Sequence, residues 1–330
     1  HQIEVISILD GIKESVSSKT EVLFTKGSDS TGEDRSGISE AVNAAEEADM
    51  VVLVLGDRSG LVPECTTGET RDSSNLKLPK VQETLARAVI ETGKPVVLVL
   101  VNGRPYAIPW LAEHVNAILE AWLPGEEGGR AVADVIFGDV NPGGKLPITF
   151  PRSAGQLPST YLAPPSGKKS NWYLDYVDSA VTPLYPFGHG LSYTSFKYDD
   201  LSISPQNATL GETVEISFTL KNVGDIAGEE VVQLYVHDMF ASSPRPTKEL
   251  KGYFRLALSP GESKKVTFQM KIDQCAFYNR DLNLVLEPGR IEVMIGSSSE
   301  DIRLCGGFEV VGPKEMEVKE RVFHAEVFIE

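Results

Sequence analysis

Two hydrophobic patterns follow one another along this chain. Up to about residue 155, short apolar runs alternate with stretches whose apolar residues recur at helical spacing. The runs at residues 50–56 and 94–101 are almost continuously apolar, which is typical of strands that are covered on both faces of a sheet. We therefore predict an open α/β sandwich domain over residues 1–155, with helices on both faces of a sheet.

The same pattern locates the elements of this domain. We predict strands at residues 21–24, 50–56, 94–101 and 115–122, and helices at residues 36–47, 79–93 and 125–137. Pro79 suits the first turn of its helix, where a missing N–H costs nothing. Ligands of open α/β sheets bind beyond the carboxyl ends of the strands, so the segments at residues 56–79, 102–104 and 123–126 are all expected to lie at that edge.

The pattern changes to short alternating strands after about residue 195. Six such strands, separated by turn residues, are predicted at residues 196–203, 213–222, 230–237, 248–256, 263–272 and 289–295. Their spacing is typical of an all-β sandwich, here over residues 195–313. Residues 156–194 are rich in Pro, Ser, Gly and Tyr and are predicted to form an ordered connector. Residues 314–330 form a C-terminal extension whose alternation predicts an added edge strand.

Composition and charge indicate a globular protein and argue against membrane and nucleic-acid partners. Hydrophobic residues make up 41% and charged residues 24% of the 330 positions, as expected of a globular protein with real cores. No apolar run approaches the ~20 residues needed to span a bilayer, so we predict a soluble protein without a membrane partner. The formal net charge of −16 argues against nucleic acid as a partner, because such binding depends on clustered Lys and Arg.

The three cysteines, Cys65, Cys275 and Cys305, are too few and odd in number to form a disulfide framework. We predict three free thiols. A bridge between Cys275 and Cys305 is the alternative if the fold brings them together. The first residues lack the charged and apolar regions of a secretory signal, which favours the cytoplasm over secretion.

One loop carries the main candidate for chemistry. Residues 56–79 connect an apolar strand to an amphipathic helix and hold Glu69 in the run Gly68-Glu69-Thr70-Arg71-Asp72. A carboxylate there can act as an acid or a base, but a glycosidase normally needs two carboxylates, and the sequence offers no convincing second one. From the residues alone, a lone Glu in a polar loop is usually a solvated surface residue.

Four ordered motifs resemble the C-terminal part of retaining β-glycosidases of glycoside hydrolase family 3. They are Gly68-Glu69 with residues 75–79 (Asn-Leu-Lys-Leu-Pro), residues 122–129 (Trp-Leu-Pro-Gly-Glu-Glu-Gly-Gly), residues 137–147 (Phe-Gly-Asp-Val-Asn-Pro-Gly-Gly-Lys-Leu-Pro) and residues 185–193 (Tyr-Pro-Phe-Gly-His-Gly-Leu-Ser-Tyr). The resemblance covers residues 3–311. It implies an α/β sandwich domain followed by a fibronectin type III-like domain.

The resemblance implies a divided active site. The family's nucleophile is an Asp in a Ser-Asp-Trp or Ser-Asp-Tyr motif of an N-terminal (β/α)8 barrel, and this chain does not contain that barrel. Asp175-Tyr176 is the nearest match, but it lies in the connector rather than after a barrel strand, so we reject it as nucleophile. Glu69 matches the family's general acid/base, which reaches over the barrel from a loop of the sandwich domain, and Glu64 is the runner-up.

Candidates for contacts to the substrate are Asp57, Arg58, Arg71 and Trp172. For Asp57 and Arg58, ion pairs with neighbouring surface groups are the alternative interpretation. Trp172 suits stacking on a sugar ring and equally suits packing of the connector against its domain. Arg71 precedes the next acidic residue here, whereas many family members have the order Glu-Gly-x-Asp-Arg.

The resemblance therefore implies the C-terminal part of a retaining exo-β-glycosidase that hydrolyses terminal β-linked xylose or glucose from oligosaccharides. Its expected partners are the N-terminal barrel portion of the same enzyme and an oligosaccharide substrate, and a homo-oligomer stays open. Residues 60–69 look most like members acting on β-xylosides and β-glucosides, and we favour a β-xylosidase. No cofactor or metal is predicted, because residues 139–144 lack the full ligand series of a calcium loop. The alternative is a non-catalytic carbohydrate-binding or scaffolding module.

Overall fold

The computed structural model describes residues 4–164 and 175–330. The chain groups into two compact units, the first formed by His1–Val140 and Phe150–Leu157 and the second by Asn141–Thr149 and Pro158–Glu330. None of the helices in the described residues has the length and apolar character needed to cross a membrane. The domain boundaries expected at residues 155, 194 and 313 stay predictions.

The first unit combines a small parallel sheet with five helices in its described residues. Its elements are α1 (Ile8–Ser15), α2 (Ile38–Glu47), β1 (Val51–Gly56), α3 (Gln82–Ile90), β2 (Val96–Val101), α4 (Pro109–His114), β3 (Ala117–Glu120) and α5 (Gly128–Phe137), with a short 3-10 helix at Ala154–Gln156. The strands pair in parallel in the order β1-β2-β3. The central strand β2 is the most deeply buried of the three, which accounts for its continuous apolar sequence.

Three details of this unit differ from the sequence prediction. Residues 21–24 form no strand, and both Leu23 and Phe24 are exposed, because an apolar run becomes a strand only where a neighbouring strand supplies hydrogen bonds. The helix expected to start at Pro79 begins at Gln82, whose N–H donates to the Pro79 carbonyl at 3.2 Å. The sequence pattern also gives no indication of α1 and α4, which have only 8 and 6 residues.

Two glycines allow helices α1 and α5 to touch along their backbones. A Cβ on Gly11 would clash with the carbonyl of Gly129, and a Cβ on Gly129 would clash with the carbonyl of Ser7. Arg130 adds an ion pair across the same helix contact, with its Nε 2.7 Å from a carboxylate oxygen of Glu14. The glycine that ends the motif at residues 122–129 is therefore required by helix packing.

The second unit is a β-sandwich. Its strands are β4 (Phe196–Ser204), β5 (Asn207–Ala208), β6 (Thr213–Asn222), β7 (Gly228–Asp238), β8 (Glu249–Leu258), β9 (Ser263–Lys271), β10 (Phe277–Tyr278), β11 (Leu284–Leu286), β12 (Gly289–Gly296), β13 (Ile302–Val310), β14 (Met316–Glu317) and β15 (Glu326–Ile329), with a 3-10 helix at Ile272–Cys275. One sheet has the order β5-β13-β12-β7-β8 and the other β15-β9-β6-β4, and β10-β11-β14 form a third, small sheet.

Strand alternation builds the core of this sandwich. Every second residue of β6 is fully buried, and the antiparallel neighbour β9 repeats the pattern with three buried side chains; these residues are Val214, Ile216, Phe218, Leu220, Val266, Phe268 and Met270. The intervening residues point to the opposite face of the sheet. The α/β unit followed by an all-β sandwich confirms the predicted fold class.

The C-terminal extension supplies the expected edge strand. β15 pairs antiparallel with β9 at the end of its sheet, and Val327 and Ile329 pack against the core. The N–H of Ala325, just before β15, donates at 2.8 Å to the carbonyl of Lys251 in β8, a strand of the other sheet. The extension therefore links the two sheets of the sandwich.

Two of the four sequence motifs meet within the second unit. The N–H of Leu146 donates to the carbonyl of His189, and the N–H of Gly188 donates to the carbonyl of Leu146, both at 2.8 Å. Lys145 forms a buried ion pair with Glu230 at 3.0 Å. All three cysteines are free thiols, as predicted. Residues 141–147 of one motif and residues 185–193 of the other therefore contribute to the packing of this unit.

Candidate active site

The carboxyl ends of the three parallel strands place polar side chains at one edge of the first unit. Asp57 directly follows β1, Asn102 follows β2, and Glu120 is the last residue of β3. Gly56 is the register partner of Val101 in the parallel pair β1-β2, so the chains leave these two strands at the same level. The segment at residues 56–79, which we call the Glu69 loop, therefore starts beside the segment that follows β2.

Asp57 ties the Glu69 loop to the segment after β2. Its Oδ1 accepts hydrogen bonds from the hydroxyl of Thr66 at 2.7 Å and from the hydroxyl of Tyr106, and its Oδ2 accepts the N–H of Gly103 at 3.0 Å. Burial raises the pKa of the Tyr106 hydroxyl, and the Asp57 carboxylate raises it further, so this hydroxyl stays protonated and donates. Asp57 is thus fully engaged by neutral donors of its own unit.

Arg104 contacts the backbone of the Glu69 loop at two points. Its Nη2 donates to the carbonyl of Thr66 at 2.8 Å and to the carbonyl of Arg71. Arg71 in turn donates from Nη2 to the carbonyl of Leu61 at 3.1 Å, and its Nε is buried without a hydrogen-bond partner among the described residues. Both guanidinium groups therefore hold loop carbonyls.

Backbone contacts close the Glu69 loop where residues 59–60 meet residue 67, and we call this point the neck of the loop. Ser59 and Thr67 form an isolated parallel bridge, and the N–H of Gly60 donates to the carbonyl of Thr67 at 3.1 Å. Gly68 has a φ of 125°, and a Cβ at this position would lie 2.5 Å from the carbonyl oxygen of Gly60. Only glycine fits this conformation and this close approach. The neck therefore fixes the chain immediately before Glu69.

Glu69 is exposed at a backbone position that its neighbours define. It lies between Gly68, with a φ of 125°, and Thr70, with a φ of 60°, a left-handed conformation that is costly for a β-branched residue. The N–H of Arg71 donates to the carbonyl of Gly68 at 3.2 Å, which closes a turn around Glu69. The Glu69 carboxylate makes no hydrogen bond or ion pair with the residues that the structure describes, so it is available to an incoming group.

Asn102 and Glu120 hold the segment after β3. The Trp122 N–H donates to Oε1 of Glu120 at 3.0 Å, and the Asn102 N–H donates to the Trp122 carbonyl at 3.1 Å. Trp122 has a φ of 52°. The fully buried Asn102 also donates from Nδ2 to the carbonyl of Arg104 at 2.7 Å. Burial raises the pKa of Glu120 to about 7, against the lowering effect of the Trp122 N–H, and the nearby Asp57 carboxylate also raises it.

Comparison with known proteins decides the family. Residues 2–193 match the model described as Glycosyl hydrolase family 3 C-terminal domain, and residues 230–299 match the model of a Fibronectin type III-like domain. The first match covers more than half of the chain. This chain belongs to the glycosyl hydrolase family 3 C-terminal domain family. The predicted resemblance and both predicted domain types are confirmed.

The family 3 chain is similar to two curated relatives over most of its length. It is 44% identical over 299 residues to a "Beta-xylosidase" of Formosa agariphila, covering 89% of this chain and 40% of that protein. It is 39% identical over 332 residues to a "Periplasmic beta-glucosidase" of Salmonella typhimurium, covering 93% of this chain and 43% of that protein. The chain therefore spans less than half the length of these relatives.

Solved structures agree with this assignment. The chain superposes on the crystal structure of a beta-glucosidase from Listeria innocua with a TM-score of 0.85 and 39% sequence identity, covering 93% of this chain and 42% of that one. A further crystal structure of that protein, in complex with glucose, matches with a TM-score of 0.80 over 86% of this chain.

The structure brings some of the sequence-predicted site residues of this family 3 chain together. Asp57 and Arg71 both lie in the hydrogen-bonded base of the Glu69 loop. Arg58 and Glu64 are exposed, and their side chains make no hydrogen bond or ion pair with the described residues. Trp172 lies outside the described residues. The assigned roles of these residues stay predictions.

Three residues of this site, Arg104, Tyr106 and Glu120, are not marked by any motif in the sequence. Arg104 donates to backbone carbonyls, Tyr106 donates to Asp57, and Glu120 accepts the backbone N–H of Trp122. Such contacts leave no residue pattern in the sequence. The one available signal was position, because all three follow or end a strand of the parallel sheet, at the edge where loops of such sheets carry function. Within residues 4–164 and 175–330, no group of three His, Cys, Asp or Glu side chains is arranged to hold a metal ion.

Proposed function

We propose that this chain is the part of a retaining exo-β-glycosidase that supplies the general acid/base, Glu69. The nucleophilic Asp belongs to a barrel portion of the same enzyme, and the substrate is an oligosaccharide ending in β-linked xylose or glucose. The observation that carries the proposal is the Glu69 loop itself. Its exposed Glu69 carboxylate is unpaired among the described residues, and hydrogen bonds hold the backbone on both sides of it. The chain is also similar to proteins named as a xylosidase and as glucosidases.

The chemistry requires two carboxyl groups on either side of the scissile bond. In the first step Glu69, as the acid, gives its proton to the leaving glycosidic oxygen while the nucleophile attacks the anomeric carbon. In the second step the Glu69 carboxylate takes a proton from the water that releases the sugar. Retention of configuration requires the two carboxyl groups to lie about 5.5 Å apart in the assembled site. A loop that projects from the end of a strand can bring Glu69 to this distance from a nucleophile in another part of the enzyme.

Substitution of Glu69 by Gln tests the proposal in the polypeptide that contains both this chain and the barrel. We expect kcat/KM for an alkyl β-glycoside, whose leaving group needs protonation, to fall by roughly 10²–10⁴-fold. A dinitrophenyl β-glycoside leaves without acid assistance, so its cleavage step should be little affected. Added azide should restore turnover of the activated substrate and give a β-glycosyl azide.

Glu64→Gln is the matched control, because Glu64 is a second exposed and unpaired Glu of the same loop. We expect it to keep the wild-type preference between alkyl and dinitrophenyl substrates. If Glu64→Gln shows the leaving-group-dependent loss and Glu69→Gln does not, the acid/base is Glu64. If neither variant shows it, the acid/base assignment to this loop is wrong.

The alternative, a non-catalytic carbohydrate-binding or scaffolding module, makes the opposite prediction for the chain alone. A module of that kind binds an oligosaccharide such as xylobiose in the absence of any barrel, and Glu69→Gln leaves that binding unchanged. Calorimetric titration of this chain with xylobiose and cellobiose separates the two proposals. Under the glycosidase proposal neither sugar gives a measurable heat of binding.

A further inference from the structure

We propose that Arg104 is a positioning residue for Glu69. This inference rests on the proposed function, because it assigns a role to Arg104 in presenting the acid/base. The guanidinium group donates from Nη2 to the carbonyl of Thr66 at 2.8 Å and to the carbonyl of Arg71. Thr66 lies three residues before Glu69 and Arg71 lies two residues after it. A single planar group therefore fixes both ends of a six-residue arc, residues 66–71.

The arc needs support from outside because Thr70 adopts a left-handed conformation that is costly for a β-branched residue. Gly68 and Thr70, on either side of Glu69, have φ values of 125° and 60°. Within the arc, one backbone hydrogen bond, from the Arg71 N–H to the Gly68 carbonyl at 3.2 Å, closes the turn. Conformations of this kind persist only where surrounding groups hold them. Arg104 supplies two charge-assisted hydrogen bonds to this arc, the stronger kind of hydrogen bond.

Arg104 can hold the arc because its own backbone is anchored to the sheet. Its carbonyl accepts from Nδ2 of Asn102 at 2.7 Å, and Asn102 is fully buried directly after β2. The N–H of Asn102 donates at 3.1 Å to the carbonyl of Trp122, just beyond β3. The connection therefore runs from two strand ends through Arg104 to both sides of Glu69. Sites carried in this way by rigid elements are held more accurately than sites on unsupported loops.

The Asp57 carboxylate also holds the arc, through hydrogen bonds that it accepts from Thr66 and Gly103. The carboxylate binds the Thr66 hydroxyl at 2.7 Å and the N–H of Gly103, the residue before Arg104, at 3.0 Å. The first residue of the arc is thus held through its side chain by Asp57 and through its carbonyl by Arg104. The two contacts fix its position along two directions, so that loss of Arg104 frees the Arg71 end more than the Thr66 end.

Arginine suits this role better than lysine. The two N–H groups on one guanidinium nitrogen diverge in a fixed plane and reach two carbonyls at once, whereas an ammonium group is a compact charge with rotating donors. We therefore expect Arg104→Lys to keep part of the function and Arg104→Met, which retains only an apolar side chain of similar length, to lose it.

The test measures leaving-group dependence in the polypeptide that contains this chain and the barrel. For Arg104→Met we expect kcat/KM on an alkyl β-glycoside to fall by about 10²-fold, the size of loss that follows a displacement of about 1 Å in a catalytic group. The dinitrophenyl β-glycoside should lose less than about tenfold, and Arg104→Lys should lie between Arg104→Met and wild type on the alkyl substrate. Equal losses on both substrates would overturn the positioning role.

Arg87→Met is the matched control. Arg87 lies on α3, pairs with Glu83 at 2.6 Å and stacks over the ring of Trp110 at 3.8 Å, so the same substitution removes a cation with comparable contacts away from the Glu69 loop. We expect its ratio of alkyl to dinitrophenyl activity to equal that of wild type. A similar change of ratio in Arg87→Met and Arg104→Met would contradict the proposal.

A double variant separates this inference from the proposed function. If Arg104 acts through Glu69, adding Arg104→Met to Glu69→Gln should change the alkyl substrate rate by less than about threefold, because the two losses are not additive. If Glu69→Gln alone shows no leaving-group effect, the proposed function fails. If it shows the effect and Arg104→Met does not, only the positioning role fails.

Hydrogen exchange gives a readout on this chain without any substrate. The N–H groups of Thr66 and Thr67 donate to the carbonyl of Arg58, and that of Arg71 donates to Gly68. In Arg104→Met, and to a smaller degree in Arg104→Lys, the Arg71 amide should exchange at least about tenfold faster and the Thr66 and Thr67 amides should be accelerated by a smaller factor, while amides of α3 keep their rates. Unchanged exchange at residues 66–71 in both variants would overturn the inference.

Discussion

The half-buried carboxyl of Glu120 makes the stability of the candidate site depend on pH. Its pKa of about 7 is caused first by burial and also by the neighbouring Asp57 carboxylate. In the unfolded chain the same group ionises near its ordinary value of 4.5. Between these two values the unfolded state binds fewer protons than the folded state, so the contribution of Glu120 to the free energy of unfolding falls as pH rises.

We predict that Glu120→Gln removes this pH-dependent loss, because Gln keeps an oxygen acceptor for the Trp122 N–H and cannot ionise. Relative to wild type, the variant should gain on the order of 1–3 kcal/mol in free energy of unfolding between pH 5 and pH 8. Urea titrations followed by Trp fluorescence measure the difference. Glu46→Gln, at an exposed position of α2, is the control, and parallel pH profiles for wild type and Glu120→Gln would contradict the prediction.

Among single residues, the sequence indicated Glu69 as the candidate acid but did not indicate that Arg104 holds the loop around it. Glu69 stands in a motif that resembles those of a known family, and Gly68 beside it is required by a φ of 125°. Arg104 supports the loop through backbone carbonyls, which every residue possesses. No pattern of side chains therefore marks the contact, and only the folded arrangement shows it.

At the scale of elements, β15 is where alternation can be tested most directly. Val327 and Ile329 pack on the sandwich core, while Phe328 between them points outward and is 47% exposed. We predict that Val327→Asp, which buries a carboxylate against the core, lowers the free energy of unfolding of this unit by about 1–3 kcal/mol. The corresponding fall in Tm is about 3–10 °C.

Phe328→Asp is the control, one residue away on the opposite face of the strand. It should change the Tm by less than about 1–2 °C, since surface substitutions usually have small effects. Scanning calorimetry of both variants measures the comparison. Equal destabilisation by the two substitutions would mean that β15 does not hold the register in which Val327 pairs with Phe268.

Elements were predictable where their pattern was long and unbroken. The runs at residues 50–56 and 94–101 correspond to β1 and β2, and residues 213–222 match β6. β13 was missed because Gly306 and Gly307 interrupt its alternation, and a Cβ on Gly307 would lie 2.5 Å from the carbonyl oxygen of Ile291 in β12. Residues 21–24 show the converse error, since a local apolar run cannot supply a partner strand.

The whole molecule carries a net charge of −16, and this charge leads to a prediction on partners. Polyanions are expected to be repelled, because binding to them requires clustered cations that release counterions. We predict that the chain passes through a heparin column without retention even at ~50 mM salt and binds an anion exchanger under the same conditions. Retention on heparin that weakens as salt rises would contradict the prediction and reveal a local cationic surface.

At the largest scale the order of patterns was sufficient to predict the fold class. Helical spacing followed by strand alternation predicted an α/β unit and then a sandwich, and both are present. The strand order β5-β13-β12-β7-β8 could not be obtained in this way, because it depends on pairings between residues far apart in the sequence. β5, for example, has only 2 residues and lies next to β13.

The bridge between Ser59 and Thr67 closes off the tip of the Glu69 loop, residues 60–66, from the rest of the chain. Residues 62–64 are exposed, and they enter and leave through a neck that is already closed by backbone hydrogen bonds. Doubling the length of a loop that is closed in this way costs only about 0.6 kcal/mol in closure entropy. We therefore expect insertions at residues 62–64 to leave the arc of residues 66–71 where Arg104 holds it. Of the positions in this loop, these are the ones at which chain length can change with the least effect on the placement of Glu69.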